Sequence, residues 1–141
     1  IILCEKFKQQ AKELAIKCPV LLQNKTRTLP MSDGIKNLAI IGALADDGEN
    51  QMGCWVPDGQ AKDSITPLTS LKAALRSTNI MFAKGYKTCT STDTTLIAEA
   101  VAAAKKSDRI LLFVGEDNGL SGESNCRAFI NLPGIQEQLL D

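Results

Sequence analysis

Arg109-Ile110-Leu111-Leu112-Phe113-Val114-Gly115 is the stretch that decides the fold. Five apolar residues, mostly branched or aromatic, run without a polar break and stop at a glycine. That is the pattern of a strand covered on both faces, as in a parallel sheet. Leu38-Ala39-Ile40-Ile41-Gly42 repeats it upstream. Asn79–Ala83, closed by Gly85, reads as another strand, and Val20-Leu21-Leu22 as a short additional one.

Between these runs the period changes from two to about 3.6. Thr66-Pro67 supplies an N-cap and a first-turn proline, and Leu68, Leu71, Ala74 and Leu75 follow at helical spacing. Asp93 or Thr94 can cap a helix over Thr95–Lys106, which is dense in alanine and ends in two lysines. Phe7, Ala11, Leu14 and Ala15 mark a helix over Cys4–Ile16, and Pro133 opens a last one over Gly134–Leu140. Helices alternating with buried strands imply an α/β fold, a three-layer sandwich around a largely parallel sheet. In such sheets ligands sit at the carboxyl ends of the strands. The polar segments Asp46–Asp58, Lys84–Thr92 and Glu116–Arg127 fall there.

Composition limits the chemistry. The 141 residues carry 16 basic and 16 acidic side chains and no histidine. A zero balance leaves no electrostatic footprint for nucleic acid or an anionic membrane. Without imidazole there is no Ser-His-Asp triad, no Cys-His dyad and no His-ligated zinc within the chain. The five cysteines are dispersed, with no C-x-x-C, so they read as reduced thiols serving as small apolar residues. No apolar run reaches the roughly 18 residues of a membrane span, and no signal peptide is visible. No cofactor motif is present: neither G-x-G-x-x-G nor G-x-x-x-x-G-K-[ST] occurs.

The candidate side chains lie in the loops. Asp46 and Asp47 could hold a divalent cation, although such pairs more often cap turns. Trp55, the single tryptophan, lies in a polar loop; it can plug a minicore or offer a stacking face to a sugar ring. The segment from Gly115 to Arg127 gathers Glu116, Asp117, Glu123 and Arg127. A carboxyl there serves as a general acid if burial or a neighbouring negative charge raises its pKa. The plain alternative is a surface ion pair between Glu123 and Arg127. Lys84 and Lys87 read as solvated.

Several short landmarks occur in order: Pro19-Val20-Leu21-Leu22-Gln23-Asn24, Leu29-Pro30-Met31, Leu38–Asp47, Met52-Gly53-Cys54-Trp55, Ile65-Thr66-Pro67-Leu68, Phe82–Gly85, Val114-Gly115-Glu116, Gly122-Glu123, Arg127 and Leu132–Gln136. Together they resemble the second, α/β-sandwich domain of family 3 glycoside hydrolases, of the bacterial β-glucosidase/β-xylosidase type. The resemblance implies a retaining β-glycosidase acting on terminal glucosyl or xylosyl residues of β-glucoside or β-xyloside oligosaccharides, periplasmic or secreted. It implies Glu123 as the general acid/base, with Trp55, Arg127 and Glu116 near the sugar. The nucleophilic aspartate would come from an N-terminal barrel domain, no cofactor is needed, and the chain alone would be inactive. Residues 1–30 then form a linker helix and lead-in, and residues 31–141 the N-terminal part of the α/β domain. Ile1 in place of methionine, and a helical pattern running up to Asp141, read as cut ends, with the domain incomplete at its C-terminus. Departures are Gln23 for a common lysine, Cys126 for a small polar or acidic residue, and Ala128 where threonine is frequent. Two other readings remain open: a non-catalytic receiver-like module using Asp46 and Asp47, and a degenerate homologue with a structural role.

Overall fold

The computed structural model describes residues 3–32 and 34–141. Contacts divide the chain into two units, Ile1–Asp33 and Gly34–Asp141. In the first, α1 spans Glu5–Lys17, with Glu5 in its first turn and Lys17 in its last, each suited to the helix dipole. Val20, Leu21 and Leu22 form no strand; they are exposed. A three-residue apolar run makes a strand only where a neighbour completes its hydrogen bonds, and none does so here among the described residues.

The second unit is built on β1 (Asn37–Ile41). It is followed by the short helix α2 (Gly48–Met52), then α3 (Pro67–Ala74), β2 (Asn79–Ala83), α4 (Ile97–Lys105), β3 (Arg109–Leu112) and α5 (Gln136–Leu140). The strands form one parallel sheet in the order β2-β1-β3. The period-two pattern of β1 explains the layers. Leu38 and Ile40 face one side and pack with Ala45 and Leu68 of α3. Ala39 and Ile41 face the other side and pack with Ala83 and Ala100 of α4. Helices therefore cover both faces, the α/β three-layer arrangement that continuous apolar strands require.

Particular side chains set the element ends. The Thr66 hydroxyl accepts the Thr69 N–H at 3.2 Å, with Pro67 opening α3. The Asp108 carboxylate accepts the backbone N–H groups of Lys36 and Asn37 at 3.1 and 2.8 Å, anchoring the start of β1 beside β3. Three elements are shorter than their sequence patterns. Asp93 accepts the Thr95 N–H at 2.8 Å in a local turn, so α4 starts only at Ile97. Gly134 adopts φ +60°, which delays α5 to Gln136. β3 stops at Leu112, and its first two residues are exposed, because it pairs with β1 alone.

The chain leaves β1 over the α3 face to reach β2, then returns over the α4 face to β3. The connections out of β1 and β2 thus cross opposite faces of the sheet. The loop after β1 carries Trp55, and the loop after β3 carries Glu123.

Candidate active site

The base of the site is a set of backbone contacts that few side chains permit. Gly42, directly after β1, has φ +117°, and a Cβ there would lie 2.0 Å from the Phe113 carbonyl oxygen. Only glycine allows the exits of β1 and β3 to press together this closely. Tyr86, from the loop after β2, is fully buried beneath them. Its hydroxyl donates to the Phe113 carbonyl at 2.9 Å and accepts the Leu44 N–H at 3.4 Å. Burial pushes its pKa up to about 12, so it stays protonated and keeps donating.

Gln136, also fully buried, completes the floor. Its Oε1 accepts the Gly115 N–H at 2.7 Å, and its Nε2 donates to the carbonyls of Gly115 at 2.8 Å and Cys89 at 3.0 Å. One amide thus joins the loop after β2 to the root of the loop after β3. Tyr86 and Gln136 together tie the carboxyl ends of all three strands. Cys89 is buried in this cluster with Ile135, and burial raises its thiol to about 11. It behaves as the small apolar residue expected of it. The other four cysteines do not: Cys4, Cys18, Cys54 and Cys126 are exposed free thiols.

The loop from Glu116 to Asn131 rises from this floor. Arg127 closes it, with Nη1 paired to the Glu116 carboxylate and Nη2 donating to the Asn131 carbonyl at 2.8 Å and its side-chain oxygen at 3.2 Å. The ion pair is therefore Glu116–Arg127, not the Glu123–Arg127 pair considered from the sequence. Glu123 is exposed and makes no ion pair or side-chain hydrogen bond among the described residues.

Gly122 sets the position of Glu123. It has φ +100°, and a Cβ there would lie 2.9 Å from the Cys54 sulfur and 4.0 Å from Trp55 Nε1. The loop bearing Glu123 therefore leans directly on the segment bearing Trp55. The indole itself is 72% exposed. It lines a shallow depression of about 260 Å³ with Cys54, Val56 and Pro57. Of the two sequence readings of Trp55, the minicore plug does not hold, since such exposure leaves the ring face open.

The acidic pair has other duties. The Asp46 carboxylate accepts the Thr66 hydroxyl at 2.8 Å. Asp47 caps α2, accepting the Asn50 N–H at 2.9 Å. No cluster of three or more metal-ligating side chains occurs among the described residues. Lys87 is not simply solvated: its ammonium lies 2.5 Å from Asp93, and the resulting hydrogen bond holds that carboxyl well below the usual range.

Tyr86, Gln136 and Asn50 carry the site's geometry without a role read for them in the sequence, whereas the sequence marks Gly42 only as the end of a strand. Gln136 and Tyr86 reach partners 21 to 47 residues away, which no local pattern announces.

Two loops thus meet at the sheet end, one with an exposed indole and the other with a carboxylate unpaired among the described residues. A model described as the glycosyl hydrolase family 3 C-terminal domain matches residues 19–141, and the chain belongs to this family. It is 31% identical over 94% of its length to a periplasmic β-glucosidase of Salmonella typhimurium, covering 20% of that protein. It is 36% identical over 92% of its length to a probable exo-1,4-β-xylosidase of Aspergillus terreus, covering 16% of it. Among solved structures, it is similar to a family 3 exo-β-xylosidase in complex with a xylobiose aziridine probe. That match has TM-score 0.84 and 35% identity, over 96% of this chain and 17% of the other. A β-glucosidase from Listeria innocua in complex with glucose matches with TM-score 0.82 and 29% identity, over 98% of this chain and 18% of the other. The chain thus spans about a fifth or less of these relatives. Family membership sets aside the receiver-like reading, for which Asp46 and Asp47 are in any case engaged as hydrogen-bond acceptors.

Proposed function

We propose that this chain is the part of a retaining β-glycosidase that supplies the general acid/base, Glu123, to a site shared with an N-terminal barrel domain. On this reading residues 1–30 lead in from that barrel, and residues 31–141 begin the α/β domain. The observation that carries the reading is the contact of Gly122 with Cys54 and Trp55. It brings the backbone next to Glu123, whose carboxyl is unpaired among the described residues, against the segment that bears the exposed indole. Relatives bearing the names β-glucosidase and exo-1,4-β-xylosidase support a terminal β-D-glucosyl or β-xylosyl residue as substrate.

The chemistry follows from the two-carboxyl scheme. A retaining enzyme holds its carboxyls roughly 5–5.5 Å apart. An aspartate of the barrel attacks the anomeric carbon while protonated Glu123 gives its proton to the leaving oxygen. Ionised Glu123 then takes a proton from water, which releases the sugar from the aspartate ester. Docking of the barrel over the loop would withdraw Glu123 from water, and the nucleophile's negative charge would lie close by; both favour the protonated acid. Trp55 would offer its flat face to the sugar ring. Arg127, neutralised by Glu116 and tied to Asn131, keeps the loop's far end in register. On this reading the 141-residue chain by itself, without the barrel's nucleophile, would have no turnover.

The test uses the full-length protein that carries this segment. Glu123→Ala should lower turnover of a β-linked disaccharide by about 10²-fold or more, the usual range for a general acid. An activated aryl glycoside, whose leaving group needs no proton, should be affected far less at the glycosylation step, and azide should restore its turnover. Undiminished disaccharide hydrolysis by Glu123→Ala would remove Glu123 from the role.

A further inference from the structure

We propose that Asn50 is a positioning residue for the acid/base loop, latching the segment that bears Trp55 to the segment that bears Glu123. This rests on the assignment of Glu123 above. Asn50 lies in α2, five residues before Trp55 in the loop after β1. Its Oδ1 accepts the Asn118 N–H at 2.8 Å, in the loop after β3. Its Nδ2 donates to Asp47 Oδ2 at 2.6 Å, while Asp47 Oδ1 accepts the Asn50 backbone N–H at 2.9 Å. Two hydrogen bonds to one carboxylate fix the rotamer of Asn50 and turn its Oδ1 toward Asn118. Asp47 acts as the anchor, and Asn50 as the arm.

The latch connects segments 68 residues apart in sequence. Gln136 and Arg127 also hold the acid/base loop, but from beneath and from its own far end. Asn50 is the hydrogen-bonding side chain that joins it to the Trp55 segment among the described residues. Asn118 lies five residues before Glu123, in a single helical turn over Asn118–Leu120. Moving that turn moves Gly122 off Cys54 and carries Glu123 with it. A displacement of about 1 Å of a reacting group is enough to slow a step by about 10²-fold. Asn50 touches no substrate in this account; it acts through the placement of Glu123.

Two variants remove the latch from opposite sides. Asn50→Ala deletes the acceptor. Asn118→Pro deletes the donor and puts the ring Cδ where Asn50 Oδ1 now sits, so it breaks the latch from the other side. Proline suits that first helical position, and Asp117 before it is extended at φ −88°, ψ 171°, as a residue preceding proline requires. In the full-length protein, each variant should cut kcat/KM for a β-linked disaccharide by about tenfold and for a dinitrophenyl glycoside by less than about threefold. Combined with Glu123→Ala, neither should reduce disaccharide turnover further, because residues acting as a unit are not additive. The latch is overturned by equal losses on both substrates, by a multiplicative loss in the Glu123→Ala background, or by unchanged rates in both variants. If Glu123→Ala itself hydrolyses the disaccharide normally, the acid assignment fails and the latch with it. If Glu123→Ala is inactive on the disaccharide while the latch variants are unaffected, only the latch fails.

Discussion

Replacing Gln136 with leucine tests whether one buried amide holds the floor of the site. The side chain is of similar bulk, so the cavity contribution is small. The change is in hydrogen bonding. Three backbone groups lose their partner: the Gly115 N–H, the Gly115 carbonyl and the Cys89 carbonyl. An unsatisfied buried polar group costs about 1–3 kcal/mol. The Cys89 carbonyl is in the fully buried part of the contact and should bear the larger share. Gly115 is half-buried and can recruit water, so its two groups cost about 1 kcal/mol each or less. The sum is about 3–4 kcal/mol, a large fraction of the 5–15 kcal/mol that stabilises an ordinary domain. Urea unfolding followed by far-UV circular dichroism measures it as a lowered midpoint at unchanged slope. Gln136→Glu adds a sign. Its carboxylate would face the carbonyls of Cys89 and Gly115, so its folded-state pKa is raised above the unfolded value. The variant should therefore lose least below about pH 4, where both states are protonated, and progressively more as the pH rises. A loss under about 1 kcal/mol for Gln136→Leu, or a Gln136→Glu penalty that does not change with pH, would refute the reasoning.

Other outcomes follow from the same contacts. Tyr86→Phe leaves the Phe113 carbonyl and the Leu44 N–H unpaired and should lower stability by about 1–2 kcal/mol, read by urea unfolding. Gly42→Ala puts a methyl 2.0 Å from the Phe113 oxygen at a left-handed φ; it should destabilise by about 3 kcal/mol or more, seen as a drop in Tm. Alkaline unfolding should be steep. The Cys89 thiol titrates near 11 when folded against 9.0 otherwise, and Tyr86 near 12 against 10.0. Both groups are neutral in the folded state at pH 9, so stability is retained below that and falls from about pH 9 to 12, by at most about 1.4 kcal/mol per unit for each group. Cys89→Ala should flatten the first part of that fall in a pH-stability series.

The fold was legible because each layer leaves a local trace. Continuous apolar runs with terminal glycines marked β1 and β3, and Thr66-Pro67 marked the start of α3 to the residue. Val20–Leu22 misled because three apolar residues carry no information on whether a neighbouring strand exists. The starts of α4 and α5 were misplaced by two residues each, since Asp93 and Gly134 close local turns before the helices begin. The short α2 lay unnoticed in a polar stretch, because five residues capped by Asp47 have no apolar period to show.

The site divides in the same way. Sequence by itself determined the fold class, the loops at the strand ends and the exclusion of imidazole chemistry within this chain. Ordered landmarks added the resemblance to a hydrolase family and pointed to Glu123, Trp55, Glu116 and Arg127. Tertiary structure alone decided which of these meet: Glu116 pairs with Arg127, Gly122 seats the Glu123 loop against Cys54 and Trp55, and Asp46 and Asp47 are hydrogen-bond acceptors within the fold. It alone brought out Tyr86, Gln136 and Asn50. The physical reason is range. Helix and strand patterns repeat within a few residues, whereas a hydrogen bond such as that from Asn118 to Asn50 forms only after the sheet has brought its strand ends together.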